Sequence, residues 1–274
     1  LVVMFVMALF LLTIWSFTIC FGMVYNFPPP LFKRDTSDIE IGYRIIGGNE
    51  TDIEEFPYQL SLERKGRHAC GASLIKRNAF VTAAHCVYGW SVRDITVRAG
   101  STLRDTGGEV RKPSDLIVHK KYSQNDYDYD VAVGLLEKPF VLSPTIQVID
   151  LQPKNSKVNV GQLGNVTGWG NTVYGNYDGT YSKTLRVVQV PHVKHEKCQK
   201  LYPENPVTPR MICFGYSSGG KDSCQEDSGG PIVIDKKIVG IVSWGIGCGL
   251  PNQPGVYTHI SNAEIYDFVT RNMK

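Results

Sequence analysis

Residues 227–245 read DSGGPIVIDKKIVGIVSWG and carry the clearest strand signal in the chain. Two short apolar runs, 232–234 and 238–242, flank a polar turn at 235–237. Apolar runs of this length around a polar turn are typical of a hairpin of two buried β-strands. The segment therefore predicts a β-hairpin that is preceded by a serine with two glycines and ends on Ser-Trp-Gly.

The same strand pattern extends over most of the chain. Tyr58, Leu60 and Leu62 alternate with polar residues, which predicts a half-buried strand. Short strands separated by turn signals indicate a sandwich or a barrel. One helix is predicted at the end, because residues 261–264 read SNAE, a capping box, and apolar residues follow at helical spacing up to Met273.

The composition limits the classes of function. Of 274 residues, 42% are hydrophobic and 20% charged, which excludes disorder, collagen and coiled coil. The net charge of +3 is spread without the dense basic runs that nucleic-acid binding needs, so we expect no nucleic-acid partner. The 27 glycines, 15 prolines and seven cysteines indicate a turn-rich β protein, with disulfides if its compartment is oxidising.

The first residues point to that compartment. Residues 1–25 contain no charged side chain and are apolar on every helical face. They predict a signal peptide, residues 1–22, cleaved near Gly22; a retained membrane anchor is the alternative, because a helix of this length can span a bilayer. Cleavage removes Cys20 and leaves six cysteines, an even set that suits a secreted, extracellular domain.

Residues 23–44 are predicted to be an activation pro-peptide. Three prolines at 28–30 exclude a helix, and the segment has no apolar core of its own. Arg44 or the Lys33-Arg34 pair would be the processing site. A flexible linker is the alternative interpretation.

Three further segments carry residues suited to nucleophilic catalysis. His85 lies in VTAAHC beyond a predicted strand, Asp130 opens the apolar run DVAV, and Ser228 stands in DSGGP. Singly, each has a plain structural explanation: a packed histidine, a strand cap and a turn serine. Together they offer a nucleophile, a base that takes its proton and a carboxylate that orients the base.

With these motifs the sequence resembles the chymotrypsin family of serine proteases, and most of all its trypsin branch. The shared signatures run from IIGG at Ile45 through TAAHC, DVA, GWG at Gly168 and DSGGP to SWG at Ser243. The resemblance implies an all-β fold of two packed antiparallel Greek-key β-barrels with a C-terminal α-helix. It assigns the protease domain to residues 45–274.

The resemblance also implies catalytic roles. Ser228 would attack the scissile carbonyl, His85 would act as general base and then general acid, and Asp130 would orient His85 with a hydrogen bond from Ser243. The backbone N–H groups of Glu226 and Ser228 would form the oxyanion hole. The implied activity is that of a serine endopeptidase acting on proteins or peptides, without a cofactor.

The implied specificity rests on Asp222, which matches the base of the primary pocket. An acidic residue there selects Arg or Lys through charge-assisted hydrogen bonds. Gly245 and Gly255 match wall positions where a larger side chain would block a long substrate residue. Ser243 and Trp244 complete the expected substrate-binding set.

Activation is implied in the same manner. Cleavage after Arg44 by a trypsin-like protease, another copy of this chain included, would free the Ile45 amine to pair with Asp227 and order the pocket. Before that cut the chain would be an inert zymogen. His68 matches a position that holds Asp227 in some zymogens, with a surface or packing role as the alternative.

The resemblance further pairs the six remaining cysteines. The implied disulfides brace the His85 loop, the second half of the domain and the pocket, and they are Cys70–Cys86, Cys198–Cys213 and Cys224–Cys248. Each would stabilise the fold by about 3 kcal/mol in the chain-entropy account. Cys20 is left without a partner.

Glu226 departs from the family pattern, which has glycine two residues before the nucleophile. The backbone N–H survives, but we expect a conformation that glycine adopts more freely and a carboxylate close to developing negative charge, with the side chain pointing to solvent. Reduced or substrate-selective activity and resistance to protein inhibitors are the expectations. The alternative is a catalytically weak homologue that acts as a binding or regulatory protein.

The remaining expectations concern metal binding, the lineage of the protein, glycosylation and the oligomeric state. The loop at 101–104 lacks the acidic cluster that binds calcium in some relatives, so no metal is predicted. Gly164 and Ile234 stand where vertebrate members often carry another disulfide, which points to an invertebrate trypsin. Asn49 opens an Asn-Glu-Thr sequon and is the predicted glycosylation site. No interface motif indicates an oligomer, so a monomer is expected.

Overall fold

The computed structural model describes residues 46–171 and 181–274. The predicted signal segment 1–22, the pro-segment 23–44 and the activation residues Arg44 and Ile45 lie outside the described residues. Within the described part, no helix is long and apolar enough to cross a membrane.

Short strands are the main regular elements of the described chain. In chain order these are β1 (Asn49–Glu50), β2 (Gln59–Arg64), β3 (Arg67–Lys76), β4 (Ala79–Thr82), β5 (Ile95–Ala99), β6 (Glu109–Arg111), β7 (Pro113–Val118), β8 (Ala132–Leu136), β9 (Asp150–Leu151), β10 (Leu163–Gly168), β11 (Arg186–Val193), β12 (Met211–Phe214), β13 (Pro231–Ile234), β14 (Lys237–Trp244) and β15 (Gly255–His259). The helices are α1 (His195–Leu201) and α2 (Ala263–Asn272), with 3₁₀ turns at Ala84–Cys86 and Val92–Asp94.

The strands form two sheets, which are drawn mainly from the first and the second half of the described chain. The first is a curled antiparallel sheet in the order β6-β5-β2-β3-β4-β8-β7. The second runs β11-β10-β13-β14-β15-β12 and closes into a six-stranded barrel, because β12 also pairs with β11; β1 and β9 attach to it as short additions. The predicted all-β fold of two barrel units with a C-terminal helix is confirmed.

Each sheet encloses its own apolar core. Leu60, Leu62 and Phe80 are fully buried inside the first sheet. Val166 and Tyr257 are fully buried inside the second. Complete removal of such side chains from water contributes about 1.5–3 kcal/mol each, so the two cores hold the strands on which the functional side chains sit.

The strand β2 differs from its sequence prediction. Its polar residues Gln59, Ser61 and Glu63 are buried, so the strand is covered on both faces rather than half-buried. The reason is that these polar side chains are paired. Gln59 Oε1 accepts a hydrogen bond of 2.6 Å from Thr167 in β10 of the second sheet. Glu63 binds Arg98 at 2.6 Å. A buried polar side chain costs little when it is paired in this way.

The predicted hairpin at 232–242 forms with a shorter turn than expected. Lys237 begins β14, so only Asp235 and Lys236 connect β13 to β14. Both have positive φ, 49° and 59°, which is the twist that a two-residue hairpin turn requires. Polar residues at the turn are therefore compatible with a left-handed backbone even without glycine.

The C-terminal helix forms with a different cap. Asn262, not Ser261, is the N-cap, and its side chain accepts from the Glu264 N–H at 3.0 Å. Ser261 instead donates to the Ser156 carbonyl at 2.9 Å. Phe268 on the inner face is buried against the first sheet's core, so the helix ties the end of the chain to the N-terminal half.

The three disulfides are Cys70–Cys86, Cys198–Cys213 and Cys224–Cys248, the pairs that the resemblance implied. The first joins β3 to the 3₁₀ turn that carries His85. The last joins two loops of the C-terminal half beside Ile46. The sequence separations of the three pairs are short, 16, 15 and 24 positions.

The contact between Gly134 and Phe80 tests the packing of the first sheet. The two residues are opposite each other in β8 and β4, and a Cβ on Gly134 would lie 2.0 Å from the Phe80 ring. We expect Gly134→Ala to lower the free energy of unfolding by about 1–3 kcal/mol, measured by denaturant titration. In the Phe80→Leu background the same change should cost less; equal costs in both backgrounds would show that the ring is not the obstacle.

Candidate active site

His85 lies in the 3₁₀ turn that follows β4. The turn brings its backbone N–H to Asp130 Oδ1 at 2.9 Å and its ring Nδ1 to Asp130 Oδ2 at 2.7 Å. Because a carboxylate oxygen only accepts, Nδ1 carries the proton in the neutral ring, and Nε2 is left as the basic nitrogen. The ring is 21% exposed and lines an open cleft, so Nε2 can reach a ligand there.

Asp130 precedes β8 and is only 1% exposed. Two residues from the second barrel hold it: Ser243 in β14 donates to Oδ2 at 2.6 Å, and Thr258 in β15 donates to the Asp130 carbonyl at 2.6 Å. The Ser243 bond, together with the two bonds from His85, satisfies the buried carboxylate, and the Thr258 bond holds the Asp130 backbone. The Asp130–Ser243 contact is the one that the resemblance implied.

Ser228 stands in a tight turn before β13. Its carbonyl accepts from the Gly71 N–H at 2.8 Å, and the next residue, Gly229, has φ +80°. A Cβ on Gly229 would lie 2.2 Å from Thr82 Oγ1, so only glycine fits this turn. Ser228 and His85 line the same cleft of about 440 Å³, which brings together the three residues predicted from the sequence.

Asp222 lines the same cleft and is 4% exposed. Its carboxylate accepts from the Ser223 N–H at 2.9 Å and from the Gly249 N–H at 3.0 Å. Burial raises the pKa of this carboxyl to about 7, while the two N–H donors oppose the shift. A buried acid held in this way by backbone N–H groups is suited to binding a cation that enters the cleft.

The remaining predicted pocket residues also line this cleft: Ser243, Trp244, Gly245 and Gly255. A Cβ on Gly255 would lie 2.8 Å from Asp222 Oδ1, so a side chain there would crowd the carboxylate. A Cβ on Gly245 would have no neighbour closer than 3.6 Å, so a side chain there would take up the space of the cleft itself. The two glycines keep the way to Asp222 open.

Asp227 is completely buried next to the Ser228 turn. Its carboxylate accepts from the Gly170 N–H and the Cys224 N–H, both at 2.9 Å. Burial raises its pKa to about 7. Ile46, the first described residue, is buried nearby and accepts through its carbonyl from the Asp222 N–H at 3.1 Å.

Glu226 has φ +71°, the left-handed conformation that the sequence led us to expect. The expected orientation of its side chain is wrong: the carboxylate does not point to solvent but is only 23% exposed and forms an ion pair with Arg104. Burial raises the pKa of Glu226 and Arg104 opposes that shift. Within the described residues no group accepts from the N–H of Glu226 or Ser228, so both donors are available to a ligand.

His68 is buried beside this segment. Its Nε2 donates to the Glu226 carbonyl at 3.0 Å, and its Nδ1 lies 2.7 Å from Ser61 Oγ. Burial, followed by the Arg104 charge, lowers the pKa of His68 to about 4, so the neutral ring donates from Nε2 and accepts at Nδ1. The resemblance linked His68 to Asp227; in the structure its hydrogen bond goes to Glu226 instead.

Sequence reasoning missed several residues of the cleft. Tyr127 packs edge-on against the His85 ring at 5.6 Å, and Asp126, Glu204 and Gln225 line the walls. The run of tyrosines just before Asp130 was a signal for an aromatic wall, but only the fold brings Glu204 to it from a distant part of the chain.

One group of metal-ligand residue types occurs in the described part of the chain. It consists of Cys70, His85 and Cys86. Both cysteines are joined in a disulfide and have no thiolate to offer, so this group does not form a metal site.

Comparison with known proteins agrees with the geometry. The family profile described as Trypsin matches residues 45–267. The chain is 41% identical to the vitellin-degrading protease of Bombyx mori over 219 residues, which cover 80% of this chain and 82% of that protein. It is 41% identical to trypsin 5G1 of Aedes aegypti, with coverage of 82% and 84%.

A third relative covers still more of the sequence. Hypodermin-A of Hypoderma lineatum is 38% identical over 256 residues, 92% of this chain and 94% of that protein. The profile match covers both sheets and the cleft and extends into the C-terminal helix as far as residue 267. The chain belongs to the trypsin family of serine proteases within the chymotrypsin fold, and it is similar to invertebrate trypsins.

Proposed function

We propose that this serine protease is a secreted endopeptidase that cleaves after Arg or Lys and is made as a zymogen. The observation that carries the proposal is the buried Asp222 carboxylate in the cleft that His85 and Ser228 line. A cleft with a nucleophile, an oriented base and a buried anion is suited to a substrate with a cationic side chain.

The proposed reaction is acyl transfer to Ser228. His85 Nε2 removes the hydroxyl proton as the oxygen attacks the carbonyl carbon, and the C=O electrons move to the oxyanion. His85 then gives this proton to the leaving amine as the C–N bond breaks. Water repeats the sequence on the acyl-enzyme and releases the acid. The 2.7 Å bond from His85 to Asp130 supports the orienting role of that carboxylate.

The oxyanion is assigned to the N–H groups of Glu226 and Ser228. Their lack of an acceptor among the described residues supports this role. A donor in such a position is worth roughly 3–4 kcal/mol in the transition state, because it is oriented before charge develops.

Activation is assigned to cleavage between Arg44 and Ile45 by a trypsin-like protease. Asp227 supports the step, since it is buried with a pKa raised to about 7 and two backbone N–H donors, and a new amine at Ile45 would supply its cation. Ile46, the residue next to the proposed amine, is buried and accepts from the Asp222 N–H at 3.1 Å, which supports the assignment.

The proposed processing completes the domain plan. Residues 1–22 act as a signal peptide, or alternatively as an anchor of the zymogen, 23–44 as the pro-peptide and 45–274 as the protease. Asn49 is proposed as a glycosylation site, and its exposed position in β1 supports this. The enzyme is proposed to be a monomer without cofactor or metal, with protein inhibitors as further partners.

The first test compares Arg-amide and Phe-amide substrates before and after cleavage at Arg44 by immobilised trypsin. We expect Arg-amide hydrolysis only after cleavage, because the pocket needs the Ile45 amine. Ser228→Ala, processed in parallel, should be lower by at least about 10⁴-fold, the loss typical of serine proteases without their nucleophile.

The outcomes of this comparison separate the proposals. Activity before cleavage contradicts the zymogen, and a preference for Phe-amide contradicts the role of Asp222. A correctly processed but inert wild type would favour the alternative, a binding or regulatory homologue disabled by Glu226.

Asp222→Ser tests the specificity. We expect the ratio of kcat/KM for Arg-amide over Phe-amide to fall at least about hundredfold, about 3 kcal/mol, because a buried cation loses its charged partner. Glu204→Gln is the matched control: it removes another carboxylate of the same cleft, and its ratio should change less than about fivefold. Similar losses in both variants would assign the preference to the field of the whole cleft.

Asp227→Asn tests the activation step with almost no change in shape. We expect the variant to be cleaved at Arg44 but to gain at most about one hundredth of the wild-type kcat/KM, because the new amine finds no buried anion. Asp267→Asn removes an exposed partner of Lys154 and should activate normally. Full activity of Asp227→Asn would show that the amine has another partner.

A further inference from the structure

Glu226 has an unfavourable position for a residue with a side chain. Its φ of +71° is one that L-residues other than glycine adopt at a steric cost. The same residue supplies one of the two proposed oxyanion N–H donors. Something in the molecule must therefore hold this peptide in place, since a turn under strain relaxes unless its surroundings prevent it.

A closed ring of hydrogen bonds provides this constraint. The Arg104 guanidinium donates to the Glu226 carboxylate, and the Glu226 carbonyl accepts from His68 Nε2 at 3.0 Å. The His68 N–H donates to Asp105 Oδ1 at 2.7 Å, and Arg104 Nε donates to Asp105 Oδ2 at 3.4 Å. Glu226 is thus held both at its side chain and at its carbonyl.

Arg104 is itself firmly held. Its backbone N–H donates to the Lys183 carbonyl at 2.9 Å, and its Nη1 donates to the Trp169 carbonyl at 3.0 Å. The guanidinium stacks over the Tyr181 ring at 4.2 Å and the side chain is 12% exposed. Within the same loop, the Ser101 hydroxyl lies within hydrogen-bond distance of both the Leu103 and the Thr106 carbonyl. A charge fixed in this way can orient its partner instead of following it.

We propose that Arg104 is a positioning residue of the oxyanion site, which it serves through its ion pair with Glu226. The pair holds the Glu226 peptide so that its N–H faces the cleft, and it balances the carboxylate that would otherwise oppose the oxyanion. The inference rests on the proposed role of the Glu226 N–H. A chain with glycine at this position would need neither effect.

Arg104→Leu in the processed enzyme tests the ion pair. We expect kcat for an Arg-amide substrate to fall about tenfold to hundredfold, less than the loss of a whole oxyanion donor, with KM changed less than about threefold. Arg104→Lys keeps the charge without the planar fork and should recover part of kcat. Titration of the active sites with a chromogenic acylating ester corrects for any fraction that fails to fold.

The decisive comparison repeats the change in a Glu226→Gly background. Glycine adopts the required φ freely and carries no charge, so Arg104→Leu should then alter kcat less than about twofold. Arg111→Leu is the matched control: it removes an arginine paired with Glu109 in the β5–β6 hairpin and should leave kcat unchanged in both backgrounds.

The results distinguish the inference from the function on which it rests. An unchanged kcat in Arg104→Leu, or equal losses with and without Glu226, would overturn the positioning role. Activity that appears only in Glu226→Gly would overturn it as well, because the ion pair would then hold an unproductive peptide. If the processed wild type and Glu226→Gly were both inert, the proposed catalytic roles would fail, and the inference with them.

Discussion

The buried Asp130 carboxylate accepts hydrogen bonds from both halves of the protease domain. Asp130 precedes β8 of the first sheet, and its carboxylate accepts from His85 in the turn after β4 and from Ser243 in the second barrel, while its carbonyl accepts from Thr258. A buried carboxylate must be satisfied on all sides, and here its donors come from both cores. The position of the His85 ring beside the cleft therefore depends on the contact between the two sheets.

Two further buried carboxylates, Asp222 and Asp227, lie close to Ser228 in the chain. Burial raises the pKa of both to about 7, and each is held mainly by backbone N–H donors. Burying a carboxylate whose hydrogen-bond donors are backbone N–H groups costs stability, and a cation that binds later restores it. In the proposed function, the cation is the substrate's side chain at Asp222 and the chain's own new amine at Asp227.

Glu226 departs from the glycine of the family pattern, and neighbouring side chains compensate for this departure. The disfavoured φ and the partly buried charge of Glu226 both cost free energy. Arg104 donates to its carboxylate and His68 to its carbonyl, and His68 in turn donates to Asp105. The loop at 101–104 lacks the acidic cluster that binds calcium in some relatives. It carries a cation instead, because Arg104 lies in this loop and pairs with the Glu226 carboxylate.

The sequence by itself determined the β-rich class, the C-terminal helix and, through its motifs, the residues that the cleft brings together. These follow from local periodicity and from short motifs, which do not depend on distant contacts. Only the tertiary structure decided that the polar face of β2 is buried, that Glu204 and Tyr127 reach the cleft, and that Arg104 pairs with Glu226. Arg104 and Glu226 are 122 positions apart. No pattern along the chain predicts such a pair, because the packing of one barrel loop against the other half sets the distance between them.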